Sequence, residues 1–316
     1  MYLGTGTINY GTEVQKVPDI LASFYSNTFI FHIMERIKNI PFAGASNKLI
    51  TADIFFDEIT GRYPVLIYAH GFNGFKDWGN FDLIADQFVA AGFVFVKFNF
   101  SHNGTTAAAP EDFVDLEAFG NNNYTIELED LQCVTNWLCN SENEYGQVID
   151  TERIYLIGHS MGGGIAILFT AEDERIKKLL TWAAISECKT PWGNWSQERM
   201  EEWKESGVQY YANSRTKQEL PLYYQLYQNY ADNKRRLDIK KAMQDITVPV
   251  LICHGTADQA VPLESALNLQ SWQPAARLFT LDTDHVFGRR HPYTEAGLPA
   301  AMQLVVDASI AFLQNS

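Results

Sequence analysis

Basic residues are scarce in this chain: 24 lysines and arginines stand against 38 aspartates and glutamates, a formal net charge of −14 over 316 residues. A phosphate backbone or an anionic membrane surface repels such a protein on average, so nucleic acid and membranes are not expected partners. Cysteine is scarce too. Cys133, Cys139, Cys188 and Cys253 fall in apolar segments without metal-ligand spacing, which argues against a disulfide framework or a zinc site and for small buried hydrophobes in a reducing compartment. Long apolar runs are missing as well, since none approaches the ~20 residues of a membrane span. The first residues, MYLGTGTINYGTEVQK, lack the basic and apolar regions of a secretory signal. A cytoplasmic location is therefore expected.

What is present is apolar content of 46%, enough for one large core with residues left over for an insertion. Residues 1–39 read as an N-terminal helical extension, from Pro18 through Ile20, Leu21, Phe24 and Tyr25 to the apolar Phe29–Ile37 stretch. Pro41 to Phe56 alternates like an antiparallel strand. Beyond it, apolar runs at Val65–Ala69, Phe93–Phe100, Ile154–Ile157, Leu179–Ile185, Val248–Cys253 and Ala276–Leu281 predict strands. Helical spacing separates them, notably in Phe81–Ala91, Asn123–Asn140, Leu263–Trp272 and Leu298–Leu313. Such alternation predicts an α/β fold with a mostly parallel central sheet flanked by helices. The pattern breaks over 187–245, a charged and aromatic stretch with no visible buried strand. It is expected to be a helical cap inserted into a core of residues 40–186 and 246–316, over the carboxyl edge of the sheet where open α/β folds bind ligands.

The stretch RIYLIGHSMGGGIA, Arg153 to Ala166, carries the strongest chemical signal. A buried strand runs into Gly158-His159-Ser160-Met161-Gly162, which fits the G-x-S-x-G nucleophile elbow. Gly162, Gly163 and Gly164 then open a helix, although each costs it about 1 kcal/mol relative to alanine. Close backbone approach at a strained turn accounts for that choice better than helix capping by the serine does.

A serine hydroxyl needs a base to take its proton and a third group to orient that base. In the chain order Ser, acid, His, the acid follows the strand after the insertion and the histidine follows the last strand. Asp258 and His285 hold those places. His291 is the competing histidine and reads as a loop residue or pocket wall, while Asp282 and Asp284 compete with Asp258 but lie too close in sequence to face the His285 ring. Backbone N–H groups of Met161, at the helix start, and of Phe72, in the His70-Gly71-Phe72 turn, are the expected oxyanion donors. No metal constellation stands out, and hydrolysis by this route asks for no cofactor.

HGFNGFKDW, GHSMGGG, HGTADQAVP and the DTDHVF histidine, in this order, resemble the α/β-hydrolase family, and within it the bacterial esterase and acyl-peptidase-like branch that includes the cinnamoyl (feruloyl) esterases. The resemblance covers roughly Pro41 to Ser316 outside the insertion, and departs at His102 and the Ala/Pro loop after it. It implies Ser160 as nucleophile, His285 as base, Asp258 as acid, and Phe72 with Met161 as oxyanion donors. The expected substrate is a small carboxylic ester. The alternative is a short peptide or acylated amine cleaved by the same triad, for which Lys189 and the Lys234-Arg235-Arg236 run would be anion partners. A non-catalytic binding protein on this fold would lack a triad member, and none is missing. An oligomer is compatible with the sequence but not specified by it.

Overall fold

Residues 34–57, 61–213 and 215–315 are described by the computed structural model. The helical extension expected over residues 1–39 lies outside this range as far as residue 33, and its remainder is a strand. This strand, β1 (Met34–Ala43), pairs antiparallel with β2 (Leu49–Asp57) through a register shift after Ile37. Ile37, Ile40 and Phe42 pack inward while Arg36 and Lys38 face water. Charges of this kind protect the open edge of a sheet against further pairing. The single strand expected over Pro41–Phe56 is thus two, separated by a short 3₁₀ turn at Ala45–Asn47.

The chain continues through β3 (Tyr63–Ala69), α1 (Phe81–Ala90), β4 (Val94–Asn99), α2 (Leu116–Asn121), α3 (Tyr124–Cys139), β5 (Ile149–His159), α4 (Met161–Glu172) and β6 (Ile176–Trp182). The insertion follows, with α5 (Gln197–Ser206), β7 (Val208–Ala212), β8 (Glu219–Tyr223), α6 (Gln225–Asp232) and α7 (Ile239–Asp245). Then come β9 (Val250–Gly255), α8 (Leu263–Trp272), β10 (Arg277–Leu281) and α9 (Ala300–Gln314). Eight strands form one sheet in the order β1-β2-β4-β3-β5-β6-β9-β10, parallel from β4 to β10.

Side-chain alternation along each parallel strand feeds two cores. In β5, Ile154 and Leu156 face the core under α3, α4, α7 and α8, whereas Tyr155 and Ile157 face the core under α1 and α9. Met302, Val305, Val306, Ser309, Phe312 and Leu313 form the buried stripe of α9, at helical spacing. The chain crosses from β4 over β3 to reach β5, so the strand order reverses between β3 and β5. That switch point is where ligands bind in this architecture, and the Ser160 turn and the His70-Gly71-Phe72 turn lie at its two strand ends. Among the described residues no helix is long and apolar enough to cross a membrane.

The insertion is not all helical: β7 and β8 form an antiparallel hairpin whose Leu220 and Leu222 are buried. Five-residue strands with so few apolar positions leave too little alternation to see in sequence. Its aromatics mainly pack on one another. Trp192, Trp195, Trp203, Tyr224, Tyr227 and Tyr230 form a contiguous set of ring contacts, and Trp203 donates its indole N–H to Leu222 O at 2.6 Å.

Candidate active site

Ser160 sits between β5 and α4 with φ 56° and ψ −121°, a region that side chains other than glycine enter at a cost of order 1–3 kcal/mol. Its surroundings hold it there. The Ser160 N–H donates to Trp182 O at 2.9 Å, and its carbonyl accepts from the N–H groups of Gly163 at 3.0 Å and Ile185 at 3.2 Å. Close approach explains the flanking glycines: a Cβ on Gly158 would lie 2.3 Å from Gly162 O, and one on Gly162 would lie 2.2 Å from His70 O. The elbow's strand and helix, and the neighbouring β3 turn, therefore meet backbone to backbone.

Asp258 and His285 come together from the turns after β9 and β10, with Nδ1 of His285 2.7 Å from Oδ2 of Asp258. The aspartate side chain is fully buried. Its Oδ1 accepts from the N–H groups of Ala260 and Val261, both at 2.9 Å. Burial by itself would raise this carboxyl, yet the His285 hydrogen bond and those two N–H groups hold it below the usual carboxylate range. Asp284 is used differently, accepting from Val286 N–H at 3.2 Å and Gly288 N–H at 2.8 Å within its own turn. His159, next to the serine, packs its ring against the tilted His285 ring at 4.8 Å and hydrogen-bonds through Nε2 to His285 O at 3.0 Å. Burial holds His159 well below its ordinary value, so it is neutral and donates that bond. Sequence order offered His159 only as a neighbour of the serine, and its contact with the His285 loop came to light in the fold.

Phe72 and Met161 are the remaining candidates. Their backbone N–H groups donate to no acceptor among the described residues, and that of Met161 opens α4, whose first N–H groups have no partner within the helix. The β3 turn is held from below by His70, whose Nε2 accepts from Phe100 N–H at 3.3 Å and whose Nδ1 donates to Gly71 O at 2.9 Å. Burial lowers His70 to about 4, which keeps it in this neutral form. The far end of the turn is pinned by Lys76: its N–H donates to Asn99 Oδ1 at 2.7 Å and its ammonium to Asp53 Oδ2 at 2.9 Å.

The sequence profile of the BD-FAE family matches residues 52–273. The chain belongs to the BD-FAE family. It is 28% identical over 126 residues to an uncharacterized 31.7 kDa protein of Escherichia coli from the traX-finO intergenic region, covering 40% of this chain and 39% of that one. It is 26% identical over 125 residues to the quorum-quenching protein AidA of Acinetobacter baumannii (strain MDR-ZJ06), covering 40% and 35%. The matched stretch thus spans well under half the length of these curated relatives. Among solved structures, the alpha/beta hydrolase GrgF from Penicillium sp. sh18 superposes with a TM-score of 0.63 at 16% identity, covering 89% of this chain and 98% of that chain. Est1E from Butyrivibrio proteoclasticus, also solved with ferulic acid bound, superposes at 0.59 and 17% identity, covering 86% and 97%. The fold is that of an α/β hydrolase.

In this BD-FAE protein Ser160, His285 and Phe72 line one cleft of about 490 Å³, together with Trp78, Tyr211, Asn213 and His291. The Ser160 hydroxyl hydrogen-bonds to no described residue; such bonds are often long until a substrate arrives. His291 is a wall of this cleft, its Nδ1 accepting from Gly79 N–H at 2.9 Å. Of the insertion's aromatics, Tyr211 reaches the cleft, edge-on to Phe72 at 5.2 Å. The basic residues expected to meet an anion lie elsewhere. Lys189 pairs with Glu187 at 2.7 Å and Arg236 with Glu172 at 2.7 Å, and neither lines the cleft.

Behind Phe72 and Met161 a smaller chamber of about 20 Å³, room for one water-sized group, is lined by Asn122, Glu127, Leu222 and Leu226. Glu127 Oε1 accepts from Asn122 Nδ2 at 2.8 Å, while Oε2 is buried without a partner. Burial pushes this carboxyl up to about 8, so it is protonated at neutral pH. One further cluster bears on metals. Ligand atoms of Asp53, Asp77 and Asp82 lie within 4.8 Å of one another, but the Lys97 ammonium already sits among them, 2.6 Å from Asp77, 2.5 Å from Asp82 and 3.3 Å from Asp53. With Lys76 bound to the same group, the cluster is a lysine–carboxylate network rather than a cation site.

Proposed function

We propose that this protein is a serine hydrolase that cleaves a small carboxylic ester through an acyl-enzyme on Ser160. The observation that carries the reading is the Asp258–His285 pair at 2.7 Å, opening onto the same cleft as a serine held at positive φ. His285 Nε2 takes the Ser160 proton as Oγ attacks the ester carbonyl, and the carbonyl oxygen gains charge between the Phe72 and Met161 N–H groups. The carbon–oxygen bond to the alcohol then breaks, and the departing alkoxide takes the proton back from His285. Water, deprotonated by His285, attacks the acyl carbon in turn, and the acid leaves as Ser160 recovers its proton. The family match and the likeness to Est1E support an ester as the bond cleaved.

Covalent labelling by a fluorophosphonate, read beside initial rates on p-nitrophenyl acetate, p-nitrophenyl butyrate, methyl ferulate and an aminoacyl p-nitroanilide, tests this. Wild type should take the label and turn over esters, and the Ser160→Ala variant should do neither. Labelling of that variant would exclude Ser160 as the nucleophile, and turnover of the anilide alone would make the enzyme an amidase.

A further inference from the structure

The cleft carries charge of the opposite sign to the molecule around it. Against a net charge of −14, its lining includes Arg215, Arg289 and Arg290 and, among the described residues, no aspartate or glutamate. Two of these arginines are already engaged. Arg290 is exposed and pairs with Glu295 at 2.9 Å, and Arg215 donates to Glu111 O at 2.7 Å and lies 3.9 Å from Asp112. The neighbouring His291 has Glu111 at 3.6 Å.

Arg289 stands apart. It is only 4% exposed, with its guanidinium over the Phe81 ring at 4.6 Å and the Trp78 ring at 5.4 Å. Its Nε donates to Val286 O at 2.8 Å and it lies beside the Tyr68 hydroxyl, but Nη1 is buried with no hydrogen-bond partner. The nearby Asp284 is turned onto the N–H groups of Val286 and Gly288 and makes no ion pair with it. A guanidinium taken out of water with no carboxylate in contact is costly, and a free donor on it asks for an anion.

Chain position says which part of a substrate would meet it. Arg289 follows His285 on one loop, and His285 must hand its proton to the departing alcohol, so the alcohol portion lies on this side of Ser160. We propose that Arg289 binds a carboxylate carried by the alcohol portion of the ester, making this an esterase for substrates with an anionic leaving group. The inference rests on the serine hydrolase reading above. A carboxylate suits the recess better than a phosphate dianion, because one buried positive charge balances one negative charge.

The test compares 4-acetoxybenzoate with its methyl ester, which share the acetyl group and the phenol but differ by one charge. The carboxylate makes the phenolate a poorer leaving group, so a wild-type kcat/KM in favour of the anionic ester reports recognition. Arg289→Gln should lower that ratio about 10- to 100-fold through KM, the range for a hydrogen bond to a charged group, and Arg289→Lys should keep part of it. A wild-type ratio no higher than that of uncatalysed hydrolysis, or one that Arg289→Gln leaves unchanged, overturns the proposal. Calorimetric titration of the wild-type protein with 4-hydroxybenzoate and with the neutral, non-hydrolysable 4-hydroxyacetophenone decides the point without a variant or any turnover. Tighter binding of the anion supports the assignment, and equal or weaker binding refutes it. Absence of fluorophosphonate labelling in wild type would sink the hydrolase reading and the ester with it, while the calorimetric comparison would still decide whether Arg289 binds a carboxylate.

Discussion

Asp258 faces three demands at once: it is buried, it holds the His285 ring, and it accepts two backbone N–H groups. Replacing it by asparagine removes the charge that stabilises an imidazolium and offers His285 the wrong tautomer. We expect Asp258→Asn to lower kcat by about 10³- to 10⁴-fold, while Asp284→Asn, which alters a turn, should leave turnover within a few-fold. Steady-state kinetics on p-nitrophenyl acetate check this, and a larger loss from Asp284→Asn would reassign the acid. Such residues were legible because order along the chain is a strong constraint: each follows the end of a strand, and these strands are visible as apolar runs. Arg289 was not legible. Nothing in GRR marks a buried arginine, since its burial comes from Trp78 and Phe81, more than two hundred residues earlier in the chain. Glu127 was not legible either, because the chamber that encloses it is lined from α2 and from the insertion, the latter far from it in sequence.

The turn after β3 is fixed at one end by a neutral histidine and at the other by the network of Lys76, Lys97, Asp53, Asp77 and Asp82. Both lysine side chains are fully buried. Burial alone would lower Lys97, but Asp77, Asp53 and Asp82 around it hold its ammonium above the ordinary range. Removing one partner strands the others away from water, so Lys76→Met should cost about 3–5 kcal/mol in urea denaturation. By contrast Arg236→Ala, which breaks the exposed pair with Glu172, should cost no more than about 1 kcal/mol. Equal losses would mean that the buried network contributes no more than a surface pair. Its signal in the sequence was a lysine inside FVFVKFNF, a charge where a parallel strand admits none unless it is paired. The hairpin of β7 and β8 and the edge strand β1 gave weaker signals. Both are short or half-exposed, and both owe their extended form to a partner strand rather than to their own pattern.

At the scale of the whole molecule, the mostly parallel sheet followed from the alternation of apolar runs, because both faces of such a sheet must be covered, whereas the strand order and its switch point did not. Which ionisable groups that covering would trap did not follow, and they set how stability depends on pH. Glu127 is raised to about 8 from its ordinary 4.5, and His70 is lowered from 6.5 to about 4. Their signs oppose. The raised carboxyl contributes stability that is complete below about 4.5 and is lost as pH climbs towards 8, because the unfolded chain gives up a proton that the folded one keeps. The depressed imidazole contributes stability that is complete above 6.5 and is lost as pH falls through about 4. A single pH–stability curve would blend the two, but the difference between wild type and Glu127→Gln isolates the first, since His70 is common to both proteins. From pH 5 to pH 8 the variant should gain on wild type by on the order of 3–5 kcal/mol in urea denaturation, given ~1.4 kcal/mol per pKa unit. A difference that stays flat over that interval would show that Glu127 ionises normally in the folded protein, and that the chamber behind Phe72 and Met161 is wetter than its lining implies.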